Sequence, residues 1–402
     1  MRGATWWLPL GAALCVFARC GGRTAIDFES NDVAGSSFSS GGFGVPQAGG
    51  AGTGGTSAGI ICPPGQSVCG GTCIDEQTDN NNCGGCGIPC SAISPSTAAC
   101  TLGRCLVTLA SGDDFMDIAV GATGVYWTTY GGGTVMKVAI GGGIPTTLAS
   151  GQNTPSGITI DATSVYWTNY DLNGTVMKVA IGGGTPQTLA SGQTYPANIA
   201  VHATSVYWAN WTNHGINGTV MKVAIGGGTP TTLASGQNTP DGIIIDATSV
   251  YWTTDDINGT VMKVPIGGGT PTTFASAQGV SGPIAVDTTS VYYCTYGADG
   301  EIGTVMKVPV GGGARTTLAS GHPIYIAVDA TSVYWTDSDT SSGTSGSNGT
   351  VMKVPVGGGP PTVLASGQDG PDRIAVDATS VYWTDYNLNH GYSMSLMRLT
   401  PK

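Results

Sequence analysis

Cysteine, histidine, and loop residues pairing aromatic rings with carboxylates are the side chains here best suited to chemistry. The chain has 11 cysteines and four histidines. Eight of the cysteines, Cys62, Cys69, Cys73, Cys83, Cys86, Cys90, Cys100 and Cys105, fall within one short stretch. So dense and even a set reads as a disulfide framework built in an oxidising compartment, with connectivity left open. Zinc would need paired CxxC knuckles, and only Cys83 and Cys86 have that spacing. Cys294 stands apart and reads as a buried free thiol. The histidines, His202, His214, His322 and His390, lie in no recognised catalytic motif. No nucleophile elbow, phosphate loop, zinc helix or EF-type calcium loop is visible, so no metal or cofactor is expected.

A second group of candidates comes from loops. Tyr130, Tyr170, Asp171, Tyr195, Trp211, Asn213, Asp255, Asp256, Asp339, Tyr386 and Asn389 occupy the segments that vary most between otherwise constant repeats. Aromatic faces with amide and carboxylate partners suit a sugar or a peptide, and variable loops on a rigid scaffold are the usual layout of a binding surface. The alternative is that these are ordinary polar loops.

The elements that would position them follow from the repeat. Val-Tyr-Trp-Thr or a close variant recurs with its tyrosine at Tyr126, Tyr166, Tyr207, Tyr251, Tyr292, Tyr334 and Tyr382. Each unit reads as a short apolar strand, a D-A-T-S turn, the Val-Tyr-Trp-Thr strand, a variable loop, a Thr-Val-Met-Lys-Val strand, a Gly-Gly-Gly turn and a Thr-Thr-Leu-Ala-Ser strand. Four short strands per unit of about 40 residues make a propeller blade. The fourth-strand pattern first occurs at Thr108–Ser111, and the last unit stops at its third strand, Leu396–Leu399. The N-terminal strand should therefore complete the last of seven blades and leave no open seam. Within a blade, the Tyr-Trp pair reads as core between blades. Met should fill the gap between blades while Lys extends to solvent, rather than forming an anion-binding ring. The Asp of the D-A-T-S turn should cap its own backbone.

This repeat resembles the YWTD propeller of low-density-lipoprotein-receptor-type proteins. The full tetrapeptide stands at Tyr334–Asp337 and Tyr382–Asp385. That family is typically six-bladed, whereas this chain has seven markers. The Cys-rich stretch resembles the domain of plant stigma-specific proteins through Cys73, Asp79, Asn82, Cys83, Gly84, Cys86, Gly87 and Cys90, although that family's adjacent cysteine pair is absent. The resemblance implies an extracellular, disulfide-held module. Propeller lyases of the streptogramin-lyase type place a histidine over the channel, but their catalytic motif is not matched here.

The expected organisation is an export signal over 1–20, a Gly/Ser-rich tether over 21–59, the disulfide module over 60–105 and an all-β seven-bladed propeller over 106–402. Arg2, an apolar run from Trp6 to Ala18, and Cys20 resemble a bacterial lipoprotein start, with Cys20 the lipidated residue. Arg19 stands where that pattern has a small residue. With a formal net charge of -11, nucleic acid is excluded as a partner. The leading expectation is a monomeric, non-enzymatic surface protein that recognises a carbohydrate or protein at the variable rim and meets the membrane only through a lipid. The alternatives are a propeller lyase or hydrolase using His214, His322 or His390, and a structural envelope protein.

Overall fold

A computed structural model describes residues 60–92, 98–112, 114–212, 217–254, 259–276, 279–296, 302–338, 348–387 and 393–402. Residues 60–402 form one compact unit, a seven-bladed β-propeller with a disulfide-rich module at its N-terminal end. Six blades are four-stranded antiparallel sheets in sequence order. Blade one runs through Phe115–Gly121, Gly124–Thr129, Thr134–Ala139 and Thr146–Ala149. The first strands of blades two to seven are Pro155–Ile160, Pro196–His202, Pro240–Ile245, Val280–Val286, Pro323–Val328 and Pro371–Val376. Each first strand touches those of both neighbouring blades, and the seventh touches the first, so these strands encircle the axis.

Closure is as expected. The third strand of blade seven, Ser393–Thr400, pairs with Arg104–Gly112, which supplies the fourth strand from the N-terminal side. Ala98–Thr101 of the disulfide module adds a fifth strand outside it. The disulfides pair Cys62 with Cys73, Cys69 with Cys86, Cys83 with Cys100, and Cys90 with Cys105. Cys105 lies within the closing strand, so the Cys90–Cys105 bond ties the module to the seam. A module this small gains its rigidity from such bonds.

The core is a series of slabs between blades. Tyr126, Val135 and Leu148 of blade one pack on Ile158, Val165 and Trp167 of blade two. The same set recurs around the ring and ends where Tyr382, Leu396 and Leu109 meet Ile118, Val125 and Trp127. Polar groups then join the blades. Trp208 Nε1 donates to Gln193 Oε1 at the edge of the preceding blade (3.1 Å), and Trp167, Trp252 and Trp383 do likewise with Gln152, Gln237 and Gln368. In the D-A-T-S turn, Asp161 Oδ1 accepts the backbone N–H of Thr163 and Ser164, while Oδ2 accepts the Tyr166 hydroxyl (2.7 Å). One side chain thus closes the turn and anchors the tyrosine.

The lysines depart from expectation. In blades one to five the ammonium group does not extend into solvent. Lys178 Nζ donates to the carbonyl of Ile225 in the next blade (3.1 Å) and lies 5.5 Å from the centre of the Tyr166 ring. Lys137, Lys222, Lys263 and Lys307 repeat the bond to the following blade. These carbonyls follow the end of a third strand, outside the sheet ladder, and the ammonium satisfies them.

Candidate functional site

Each first strand bulges just before its invariant isoleucine. In blade one the pairing slips between Phe115, opposite Thr129, and Asp117, opposite Thr128. Blades three and seven slip between Pro196 and Ile199, and between Pro371 and Ile374. Bulges re-aim side chains, and a threonine hydroxyl holds these in place. Thr168 Oγ1 accepts the N–H of Gly157 in its own bulge (3.1 Å) and donates to the carbonyl of Ala197 in the next blade's bulge (2.5 Å). Thr128, Thr253 and Thr336 donate in the same way to Ser156, Gly282 and Asp372. Neighbouring bulges come so close that a Cβ on Gly157 would lie 2.6 Å from the Ala197 carbonyl oxygen.

The residues lodged in these bulges form a polar group across blades six, seven and one. Asp117 accepts the backbone N–H of Ile118 (2.9 Å) and of Ile158 in blade two (3.0 Å). Burial nevertheless raises its carboxyl above the ordinary range, outweighing the nearby Arg373 and both N–H bonds. The Arg373 guanidinium stacks 4.0 Å from the centre of the Tyr325 ring. Its Nε lies 3.6 Å from Asp372 Oδ2, too far for a hydrogen bond, and is buried without an acceptor. So loose a pair does not offset burial. Asp372, its side chain 20 % exposed, is pushed up to about 7 by desolvation and then by the charge of Asp117. Between blades three and four, Asn198 Nδ2 donates to Asp241 Oδ1 (2.6 Å).

An aromatic collar stands beside these bulges. In blades one, two, three, five and six the residue after the second strand, and in blade seven a residue near that strand's end, sends its N–H to the carbonyl of the residue just before the first strand. Tyr130 bonds to Asp114, Tyr170 to Thr154, Trp211 to Tyr195, Tyr296 to Gly279, Ser338 to His322 and Tyr386 to Gly370. The Tyr170 ring centre is 5.2 Å from Tyr195 and 6.4 Å from Trp211. The Tyr296 hydroxyl donates to the Ile324 carbonyl in the bulge of blade six (3.2 Å). Burial is the main cause of the raised phenol at Tyr386, and the charge of Asp372 is next. Tyr170 is pushed up to about 12 by burial, with Tyr130, Tyr195 and Asp241 contributing. Collar and bulge residues therefore share one electrostatic environment at the mouth of the axis. Asp385, in the second strand of blade seven, is raised to about 6 by burial, although it accepts the N–H of Gly370.

Of the residues singled out from sequence, Tyr130, Tyr170, Tyr195, Trp211 and Tyr386 lie in this collar. Asp171 is occupied with its loop: its carboxylate accepts the Asn153 amide and its carbonyl the N–H of Tyr195. Asn213, Asp255, Asp256, Asp339 and Asn389 lie outside the described residues, as do His214, His390 and Cys20. His322 sits at the mouth, its backbone N–H bonded to the Asp337 carboxylate (3.1 Å). His202 ends the first strand of blade three, beside the constant turn. Sequence reading missed Asp117, Asn198, Asp241, Tyr325, Asp372 and Arg373. Their signal was present: the two positions before each repeated isoleucine change from unit to unit while their surroundings stay constant.

Among the described residues, two groups have side chains close enough to share a metal, Cys83, Cys90 and Cys100, and Cys69, Glu76 and Cys86. All five cysteines are in disulfides and offer no thiolate. These groups are structural.

No protein-family model matches the chain, and no curated protein matches it in sequence. Solved structures share its fold. A streptogramin B lyase superposes with a TM-score of 0.57 at 12 % identity, over 74 % of this chain and 97 % of the lyase. An oligogalacturonate lyase from Vibrio parahaemolyticus gives 0.56 at 11 % identity, over 74 % and 94 %. A chain from a nidogen/laminin complex gives 0.46 at 16 % identity, over 59 % and 90 %, which is too loose a match to build on. At these identities the likeness is one of fold. It still corrects the expectation that weighed against catalysis. The same architecture carries lyase chemistry in those proteins, and here an acid, a guanidinium and a phenol gather at the channel mouth.

The raised Asp372 carboxyl has a consequence for stability. Its folded pKa of about 7 lies above the unfolded value of about 3.9. Ionising it thus costs stability, and the cost grows as pH rises from roughly 4 to 7. Asp372→Asn should stabilise the fold more at pH 8 than at pH 5, by about 2–3 kcal/mol. Urea unfolding at the two pH values measures this, and an equal effect at both would contradict the assignment.

Proposed function

We propose that the protein is an acid–base enzyme of the eliminating, lyase kind that works at the mouth of the propeller axis. The observation that carries this reading is the Asp372–Arg373 pair. It combines a carboxyl poised near neutrality with a buried guanidinium N–H that has no acceptor. A general base works best with a pKa near the working pH. Asp372 takes a proton from the carbon next to a carbonyl. The unpaired Arg373 Nε–H stabilises the negative charge that develops on the carbonyl oxygen. Tyr386, held protonated by its burial, returns a proton to the leaving group. Asp117 supports the pair through its charge, and Tyr325 supports the plane of the guanidinium.

The test uses streptogramin B, oligogalacturonate and ammonium-bearing compounds with a β-leaving group, followed by ultraviolet absorbance of the unsaturated product. Turnover should rise with pH through about 7 as Asp372 ionises. Asp372→Asn should lower it at least ~100-fold while the fold is kept. Turnover that is indifferent to Asp372, or no turnover at all, would sink the enzymatic reading. Saturable binding of a carbohydrate or protein without turnover would then support recognition by the collar.

The protein is further proposed to act outside the cytoplasm, with the disulfide module as neck and Cys20 as lipid anchor. Four disulfides support an oxidising compartment. The kinship proposed for the repeat is with YWTD propellers, on Tyr334–Asp337 and Tyr382–Asp385, and for the module with stigma-specific proteins. Cells fed labelled palmitate should label the full chain and not Cys20→Ala, whereas an unlabelled wild type would remove the anchor.

A further inference from the structure

We propose that the substrate is an organic cation, a molecule bearing an alkylammonium group that the aromatic collar receives above the carboxylates of the mouth. This rests on the mouth being the active site and adds the charge of what enters it.

Three observations converge. The first is the collar. The position that bonds to the residue before the first strand holds an aromatic residue in blades one, two, three, five and seven, as Tyr130, Tyr170, Trp211, Tyr296 and Tyr386. Tyr195 adds a sixth ring against Tyr170. The faces of such rings attract a cation and repel an anion. In this propeller the interblade core already claims a separate Tyr-Trp pair in most blades, so core packing does not account for the collar.

The second is the balance of charge. Asp114 and Asp171 act on the Tyr130 phenol, Asp241 on Tyr170, and Asp372 and Asp114 on Tyr386. Asp117 acts in turn on Asp372. Asp114, Asp171 and Asp241 thus bring negative charge to the collar, and Asp372 adds to it as it ionises, against one guanidinium, Arg373, among the described residues. Asp337, Asp369 and Asp385 add carboxyls around blades six and seven, and His322 and the collar tyrosines are further titratable groups at the mouth. A polyanion would meet this field on approach, where low dielectric strengthens repulsion, whereas a cation is drawn in.

The third is what Arg373 already does. It stacks on Tyr325, lies beside Asp372 and acts on Asp117. Its Nε–H, buried without an acceptor, can serve an oxygen of a substrate.

The test takes the full chain at low salt and follows tryptophan fluorescence and calorimetric heat with three probes: spermidine, a lysine tetrapeptide and a galacturonate trimer. Spermidine should bind saturably and the trimer should not. Salt should weaken binding, and Tyr170→Leu combined with Trp211→Leu should weaken it about 10-fold. Asp241→Asn is a milder variant that removes one charge and keeps the shape. It should also weaken binding, and a thermal melt checks that each variant is folded. Binding of the lysine peptide in preference to spermidine would place the ammonium on a peptide and keep the proposal. Binding of the trimer in preference to both cations would overturn it, as would cation binding that ignores the collar and Asp241. The two readings fail separately. Turnover of a neutral or anionic substrate that needs Asp372 leaves the enzyme and removes the cation. Cation binding at the collar without any turnover does the reverse.

Discussion

The threonine hydroxyl that closes a Val-Tyr-Trp-Thr run does two things at once. It takes the N–H of its own blade's bulge and gives its proton to the bulge of the next blade. The first strands around the axis are thereby held at close range, and neighbouring bulges are locked together. Without that bond, a bulge carbonyl facing the axis would be buried with no donor, a loss of about 1–3 kcal/mol. Because the bulge backbone is fixed by its neighbours, its side chains are free to vary. The residues of the proposed site, Asp117, Tyr325, Asp372 and Arg373, occupy these positions. Blades three and five carry Ala209 and Cys294 in place of the threonine. Cys294 is fully buried and free, and its thiol is held protonated by burial, so it fills the space without chemistry.

The same logic explains why the outer scaffold can be so regular. The Lys-to-carbonyl bond, the Trp-to-Gln bond and the Asp-to-Tyr bond each join groups that recur in most blades. Where a partner is missing, a local substitute takes over. Blade six has no Gln before its first strand, and Trp335 Nε1 turns to Asp337, which also receives the N–H of His322. Blade seven carries Arg398 in place of Lys, and it still reaches a carbonyl of the next blade, at Ile140. The ring closes through the same kind of bond it repeats.

The architecture was legible because its signals are periodic. The tyrosine spacing, the displaced fourth strand at Thr108–Ser111 and the unfinished last unit lead directly to seven blades and a shared seam. The collar was legible in part. Tyr130, Tyr170, Trp211 and Tyr386 stand out as loop residues, but Tyr296 sits in the most divergent unit and did not. The acid–arginine group was not found because the first strand was read only as a short apolar segment, and the bulge that re-aims the residues before its isoleucine leaves no mark in that pattern. Asp372 and Arg373 are adjacent in sequence, yet both turn to the same side of the problem: one is beside Asp117 in charge, the other on Tyr325 in space. The lysines were misread because an ammonium on a strand was assigned to water by default. The neighbouring blade that offers it a carbonyl cannot be seen in a single repeat.

The proposed chemistry requires Asp372 to titrate near neutrality at the channel mouth. Its carboxyl carbon can be followed by NMR in protein labelled at aspartate, with Asp372→Asn to assign the signal. A titration midpoint near 7 that falls when Asp117 is replaced by Asn is the predicted result. A midpoint near the ordinary value of about 4 would show a solvated carboxylate and contradict the site.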